Sequence, residues 1–132
     1  MRRNKYSNRS FLVSLRDAIN GISTAIRRER NLKIHIVFAT IAIIAGFYFR
    51  ISRFEWVAIC IVINLVIFSE LINTAIELTI DLYTKKYRIT AKLAKDVAAG
   101  AVLVSSSLAI VIGLLVFYNK IIMLIGNIFS GR

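Results

Sequence analysis

Three long apolar runs dominate this 132-residue chain and contain no proline. They lie near residues 34 to 49, 56 to 80 and 97 to 118, and a shorter apolar tail follows from 120 to 129. A helix needs about 20 residues to cross roughly 30 Å of hydrocarbon. The runs also lack the alternating pattern of membrane barrel strands. We therefore predict an all-α integral membrane protein with three transmembrane helices, forming a single domain over residues 1–132.

The segment before the first run is basic and carries an apolar residue at every third or fourth position. This spacing places the apolar side chains on one stripe of a helix. The residues of the stripe are Phe11, Leu15, Ile19, Ile22 and Ile26. We expect an amphipathic surface helix over about residues 7 to 28, lying on the membrane. A shorter polar segment, also helical, is predicted between the second and third spans, over residues 82 to 95.

The basic residues are distributed unevenly along the chain. Of 18 Lys and Arg, nine precede the first span and five lie between the second and third. Cytoplasmic loops carry an excess of Lys and Arg, so these segments and the N-terminus are predicted to be cytoplasmic. No signal peptide is expected, because the first residues are basic and polar. The formal charge of +11 comes without a recognisable nucleic-acid-binding module, so anionic lipid or a phosphorylated ligand is the expected partner.

Carboxylates interrupt the second run in the stretch SELINTAIELTID, residues 69 to 81. On a helix, the four polar residues of this stretch share a stripe about 80° wide. They are Glu70, Asn73, Glu77 and Asp81. An ionised group at the bilayer centre costs about 2.5 to 3.5 kcal/mol, so this face must meet protein or water. The stripe could join helices through hydrogen bonds, or it could bind a divalent cation or abstract a proton.

Further charged residues lie near the ends of the spans. Lys95 and Asp96 begin the third run beside small residues, and Lys95 could either neutralise Glu77 or Asp81 or help to bind a polyanion. Glu29 lies in the sequence IRRERN, between the surface helix and the first span. An acid among several basic residues is usually solvated. Its position at the cytoplasmic membrane edge would nonetheless let it meet Glu77.

Two longer motifs resemble those of a known family. They are E-L-I-N-T-A-I-E-x-x-x-D at 70 to 81 and A-K-x-A-K-D-x-A-A-G-A-V at 91 to 102. Together they resemble the small bacterial membrane kinases that phosphorylate diacylglycerol or undecaprenol. Three shorter matches are similar to the Gram-positive undecaprenol kinase branch: N-G-I at 20 to 22, E-R-N at 29 to 31 and I-H-I at 34 to 36.

The resemblance implies a homotrimer of three-span subunits in the bacterial inner membrane, with active sites shared between subunits. It implies ATP-dependent, magnesium-requiring phosphorylation of a lipid alcohol. Undecaprenol is the preferred acceptor and diacylglycerol the alternative. From the residues alone, two other readings stay open: a noncatalytic membrane scaffold, and an ion or proton conductor that uses the acid stripe. No phosphate-binding loop or protein-kinase signature is present in the sequence.

Roles for four residues of the site also follow from the resemblance. Glu70 matches the general base that takes the proton of the lipid hydroxyl. Glu29 and Glu77 match the carboxylates that hold the magnesium ion accompanying ATP. Asn73 matches an asparagine of the same stripe, with a positioning role beside the nucleotide.

The remaining matches concern the nucleotide, and two positions depart from the family pattern. Lys95 and Asp96 match residues at the nucleotide, and Tyr87 aligns with a tyrosine in a segment that borders it. Asp17 stands where relatives often have an aromatic residue, and we assign it no nucleotide contact. His35 stands where Gram-negative relatives carry a glutamate, which favours the undecaprenol branch; otherwise it is interpreted as an interfacial histidine without a chemical role.

Overall fold

Four helices account for most of the structure, a computed structural model that describes residues 10–84 and 86–130. In chain order they are α1 (Phe11–Arg28), α2 (Arg30–Tyr48), α3 (Arg53–Tyr83) and α4 (Ile89–Phe129). The described ranges contain no strand, and the prediction of an all-α fold is confirmed. Each of the last three helices is long and apolar enough to cross a membrane, and these three helices contain the three predicted spans.

The helix boundaries correct two expectations. The predicted polar segment over 82 to 95 is not a separate helix: α3 continues to Tyr83, a short connection follows, and α4 begins at Ile89. The predicted apolar tail, 120 to 129, is the last part of α4. Lys, Leu and Ala favour helix, and no proline interrupts the chain after Ile89, so α4 contains both residues 89 to 95 and the apolar tail.

A single extended residue, Glu29, separates α1 from α2 (φ −94°, ψ 119°). Its backbone N–H donates to the carbonyl oxygen of Ala25 at 2.8 Å, which completes the last turn of α1. The surface helix was predicted over about residues 7 to 28, and its described part is helical from Phe11 to Arg28. Residues 7 to 9 lie outside the described residues. Placement of α1 on a membrane surface remains a prediction.

α3 and α4 form an antiparallel pair, the most extensive helix contact among the described residues. An ion pair joins them near each end: Lys95 Nζ lies 2.6 Å from Asp81 Oδ1, and Lys120 Nζ lies 2.6 Å from Glu55 Oε1. With a rise of 1.5 Å per residue, the two ion pairs are about 38 Å apart along the helices. This exceeds the roughly 30 Å of bilayer hydrocarbon, so both pairs can lie at headgroup level, on opposite faces of a membrane.

The start of α3 is set by a capping box. The Ser52 hydroxyl accepts from the Glu55 N–H at 3.3 Å, and the Ser52 N–H donates to Glu55 Oε2 at 2.6 Å. These two bonds satisfy backbone donors that a helix start would leave unpaired. Because the other oxygen of Glu55 binds Lys120, one carboxylate both begins α3 and ties it to α4.

A small apolar core lies at the Glu55 end of the bundle. Ile51, Ile59 and Val116 are buried there, and Trp56 packs against them. Gly46 makes this packing possible, because a Cβ at that position would lie 2.7 Å from Cη2 of Trp56. The carboxylates discussed below are at the opposite end, near Asp81.

Candidate active site

Glu70 belongs to the buried face of α3. The buried residues of this helix recur every three or four positions: Ile59, Val62, Val66, Glu70 and Thr74. The buried face of α3 therefore includes one carboxylate, that of Glu70, which is only 2% exposed. Burial decreases along the predicted acid stripe: Glu70 is buried, Asn73 and Glu77 are half-buried, and Asp81 is exposed.

Two other carboxylates lie within electrostatic range of Glu70. Glu29, from the break between α1 and α2, and Glu77, two turns along α3, both lie close enough to Glu70 to interact with it electrostatically. We call Glu29, Glu70 and Glu77 the carboxylate cluster. Its members come from two places far apart in the sequence, as expected if Glu29 meets the acids of α3 at the membrane edge.

His35 on α2 contacts the most buried member of this cluster. Its Nε2 lies 3.3 Å from Oε1 of Glu70, and its side chain is 23% exposed. No chemical role was predicted for His35. Its spacing within α2 carried no signal for the contact, which depends on how α2 packs against α3.

Asn73 binds Glu77, one turn further along α3. Its Nδ2 donates to Oε1 of Glu77 at 3.0 Å, a contact between side chains one turn apart. The other amide atom, Oδ1, is buried and has no hydrogen-bond partner among the described residues. An unpaired buried acceptor costs roughly 1 to 3 kcal/mol, which makes this oxygen available to a cation or a donor.

Basic side chains lie at the exposed side of the cluster. Arg28 Nε is 3.4 Å from Oε1 of Glu29, and an amino group of Arg28 is 3.8 Å from Oδ2 of Asp81. Asp81 also accepts from Lys95 at 2.6 Å. Of the two acids that Lys95 was expected to neutralise, the structure pairs it with Asp81. Arg28 of α1 and Lys95 of α4 therefore both lie beside the Asp81 carboxylate, near the end of α3.

Two residues assigned to the nucleotide lie apart from this arrangement. Asp96 pairs with Lys92 one turn away on α4, at 2.7 Å, and both side chains are more than half exposed. Tyr87, in the connection between α3 and α4, is 79% exposed. Of the three predicted nucleotide contacts near α4, the structure brings only Lys95 into contact with the polar stripe of α3.

The donor set fits a metal ion that arrives with a phosphate ligand. Within 10–84 and 86–130, no group of three or more His, Cys, Asp or Glu side chains is arranged to hold a metal ion. Magnesium, however, is usually bound through one or two carboxylates, with waters and substrate phosphates completing its shell. Glu29 and Glu77 supply two carboxylates, and the unpaired Oδ1 of Asn73 is a third hard oxygen close to Glu77.

An apolar groove of about 390 Å³ runs between α2, α3 and α4. Small side chains on two helices, including Ala42 and Gly113, leave the space open. His35 and Ser106 are the polar residues of its lining. Because His35 contacts Glu70, one end of the groove reaches the carboxylate cluster. The groove suits a hydrocarbon chain whose polar end would meet His35.

The three apolar helices are typical of a small multi-pass membrane protein. Its polar site, the carboxylate cluster with flanking cations, adjoins an apolar groove. A family model for prokaryotic diacylglycerol kinase matches residues 16–117, and the chain belongs to this family of lipid kinases. The family resemblance seen in the sequence motifs is confirmed.

Two relatives illustrate the range of the family. The chain is 43% identical over 111 residues to the undecaprenol kinase of Bacillus subtilis, a match that covers 84% of this chain and 90% of that protein. It is 36% identical over 105 residues to the diacylglycerol kinase of Synechocystis, covering 79% of this chain and 60% of that protein.

Proposed function

We propose that the protein transfers the γ-phosphoryl group of ATP to undecaprenol, forming undecaprenyl phosphate at the cytoplasmic face of the bacterial inner membrane. The observation that carries this proposal is the burial of Glu70 beside His35, at the point where an apolar groove meets the carboxylate cluster. The undecaprenol acceptor is favoured by the Bacillus subtilis relative, which is similar along 90% of its own length. Diacylglycerol is the alternative acceptor, favoured by the Synechocystis relative.

Phosphoryl transfer requires little covalent chemistry from the protein itself. Phosphoryl transfer passes through a loose transition state, so positioning and neutralisation of charge supply most of the catalysis. The lipid hydroxyl must also lose its proton. Glu70 is proposed for this acid–base role, because it is the carboxylate nearest the groove residue His35.

Magnesium is proposed as the metal that accompanies ATP. Glu29 and Glu77 would hold it, and the free Oδ1 of Asn73 supports a position beside them. The ion would supply positive charge against the phosphate oxygens. The hydrogen bond from Asn73 orients the Glu77 carboxylate for this task.

The remaining nucleotide contacts are assigned to the α4 side. Lys95, held by Asp81 at 2.6 Å, is proposed to bind phosphate oxygens of ATP. Asp96 and Tyr87 are proposed to contact other parts of the nucleotide. Their exposure in the single chain leaves them accessible to a ligand arriving from the aqueous side.

We further propose a homotrimer in which active sites are shared between subunits, with cytoplasmic N-termini. Large apolar side chains of α1, among them Phe11, Leu15 and Ile19, are exposed in the single chain. This exposure favours an amphipathic surface helix lying on the membrane, and the basic residues of the N-terminal segment favour its cytoplasmic side. The carboxylate cluster would then face the cytoplasm, where ATP is found.

The test is a direct comparison of acceptors. Purified protein in lipid–detergent micelles is given labelled ATP and magnesium with undecaprenol or diacylglycerol, and kcat/KM is measured for each lipid. Higher kcat/KM on undecaprenol supports the proposal. Equal or higher kcat/KM on diacylglycerol overturns the acceptor, and no product with either lipid overturns the kinase function.

A further inference from the structure

Gly113 borders open space inside the apolar groove. A Cβ added at Gly113 would meet nothing within 4 Å apart from its chain neighbours and the backbone of its own helix. The residue lines the groove together with the small side chains of Ala42 and Ala109. Gly46 differs, because a Cβ there would collide with Trp56, so its missing side chain serves packing. At Gly113 no other part of the described chain fills the space that the missing side chain leaves.

The pairing of α3 with α4 gives the depth and the length of the groove. Lys95 lies beside Asp81, and the two helices run antiparallel. Eleven residues from this ion pair, Ser106 of α4 is therefore level with Glu70 of α3. Gly113 follows Ser106 by seven residues, which at a rise of 1.5 Å per residue is about 10 Å. The groove thus extends about 10 Å from the depth of the buried carboxylate.

Hydrogen-bonding groups are confined to the end of the groove that is level with Glu70. His35 and Ser106 are the polar residues of the lining, and every other lining residue is apolar or a glycine. The Oγ of Ser106 is buried without a hydrogen-bond partner among the described residues, whereas Ser105 and Ser107 donate to carbonyl oxygens of α4. A ligand with one hydroxyl group at the end of an apolar chain matches this distribution.

The two candidate acceptors differ in this respect. Diacylglycerol carries two ester groups close to its hydroxyl, and both would enter a part of the groove whose side chains offer no hydrogen-bond donor. Burial of a polar group without a hydrogen bond is unfavourable. An isoprenoid alcohol has no polar group beyond its hydroxyl, so its chain can occupy the groove without this cost.

We propose that Gly113 is a specificity-determining residue, because the space beside it holds the isoprenoid chain of the acceptor close to its hydroxyl end. The enzyme therefore favours isoprenoid alcohols whose chain is long enough to reach Gly113. The hydroxyl lies at the level of Glu70, whose acid–base role is unchanged. Gly113 acts by leaving space and takes no part in the bonds that form or break. This inference rests on the proposed lipid kinase function.

A series of isoprenoid alcohols tests the length of the occupied groove. Alcohols of one to four isoprene units, and undecaprenol, are each given to the protein in micelles with ATP and magnesium, and kcat/KM is measured. Wild-type kcat/KM should rise with each added unit until the chain reaches Gly113, and change little beyond that length. Values that do not depend on chain length, or that rise evenly up to undecaprenol, overturn the proposal.

Gly113→Leu fills the proposed chain site. A methylene more or less in an apolar pocket changes kcat/KM about 10- to 200-fold, and we expect a loss of about that size on undecaprenol. The alcohol of one isoprene unit ends before Gly113, so its kcat/KM should stay near the wild-type value, as should KM for ATP. Gly126→Leu is the matched control. It makes the same change in an exposed part of α4, where an added Cβ also meets open space, and should leave every acceptor unaffected.

A second variant keeps the test decisive if Gly113→Leu folds poorly. Ala109 also lines the groove and lies four residues, or about 6 Å, nearer to Ser106. Ala109→Leu should therefore stop the rise of kcat/KM at a shorter alcohol than Gly113→Leu does. The same stopping length in wild type and in Ala109→Leu overturns the proposal.

Two other occupants of the groove give different results. An equal loss on all acceptors in folded Gly113→Leu assigns the groove to contacts within the protein or between its copies. Unchanged kinetics on undecaprenol assigns it to lipids of the bilayer. Either result overturns the proposal while the wild-type protein still phosphorylates lipid, whereas failure of the proposed function appears as no lipid phosphorylation by the wild type.

Discussion

Asn73 offers a way to separate magnesium binding from protein stability. One of its amide atoms binds Glu77 at 3.0 Å, and the other is buried with no hydrogen-bond partner among the described residues. Leucine has a similar volume and removes both polar atoms. We predict that Asn73→Leu raises the magnesium concentration needed for half-maximal kinase activity while changing the free energy of unfolding little.

Two opposing effects set the change in stability. Loss of a hydrogen bond to a charged group costs about 1.5 to 3 kcal/mol, and removal of an unpaired buried oxygen recovers about 1 to 3 kcal/mol. The two offset to within about 2 kcal/mol. The effect on magnesium is larger, because loss of a residue that orients a metal ligand typically lowers metal affinity about 10- to 100-fold. We expect the half-maximal magnesium concentration to rise by roughly that factor.

The assay titrates magnesium at fixed ATP and undecaprenol and measures thermal unfolding on the same preparation. Asn64→Leu is the matched control, because Asn64 is an exposed asparagine of the same helix whose amide donates to the Cys60 carbonyl at 2.9 Å. It should leave the magnesium dependence unchanged. An unaltered magnesium requirement in Asn73→Leu, or an equal rise in both variants, would refute the reasoning.

Two further predictions concern packing and nucleotide binding. Gly46→Ala should lower the free energy of unfolding by about 1 to 3 kcal/mol, because the new Cβ would lie 2.7 Å from Trp56; thermal unfolding measures this, and an unchanged midpoint contradicts it. Lys95→Met should raise KM for ATP about tenfold or more by removing a charged donor. Lys92→Met, one turn away on α4, should raise it less, and equal effects in steady-state kinetics would argue against a special role for Lys95.

Much of the architecture could be predicted from local patterns. The length of the apolar runs identified three spanning helices, and helical spacing placed Glu70 and Glu77 on one face of α3. The end of the surface helix near residue 28 was also anticipated, whereas the next helix begins at Arg30 and not near Ile34, where the first span was predicted to begin. These features depend on residues close together in the sequence, which is why periodicity reveals them.

Other features depend on packing between helices. The contact between His35 and Glu70 exists because α2 lies against α3, and no spacing within α2 indicates it. The ion pair of Glu55 with Lys120 joins residues 65 positions apart and was not foreseen. The start of α4 at Ile89 was also missed, since Arg88 provides no side-chain cap that would mark a helix start in the sequence.

The most direct measurement is undecaprenol phosphorylation by Glu70→Gln and Glu77→Gln, each compared with Glu55→Gln, an acid-to-amide change at the other end of the same helix. Both cluster variants should lose about 10²-fold or more in kcat/KM while remaining folded, and Glu55→Gln should retain activity. Wild-type rates in Glu70→Gln and Glu77→Gln would contradict a role for these carboxylates in the reaction.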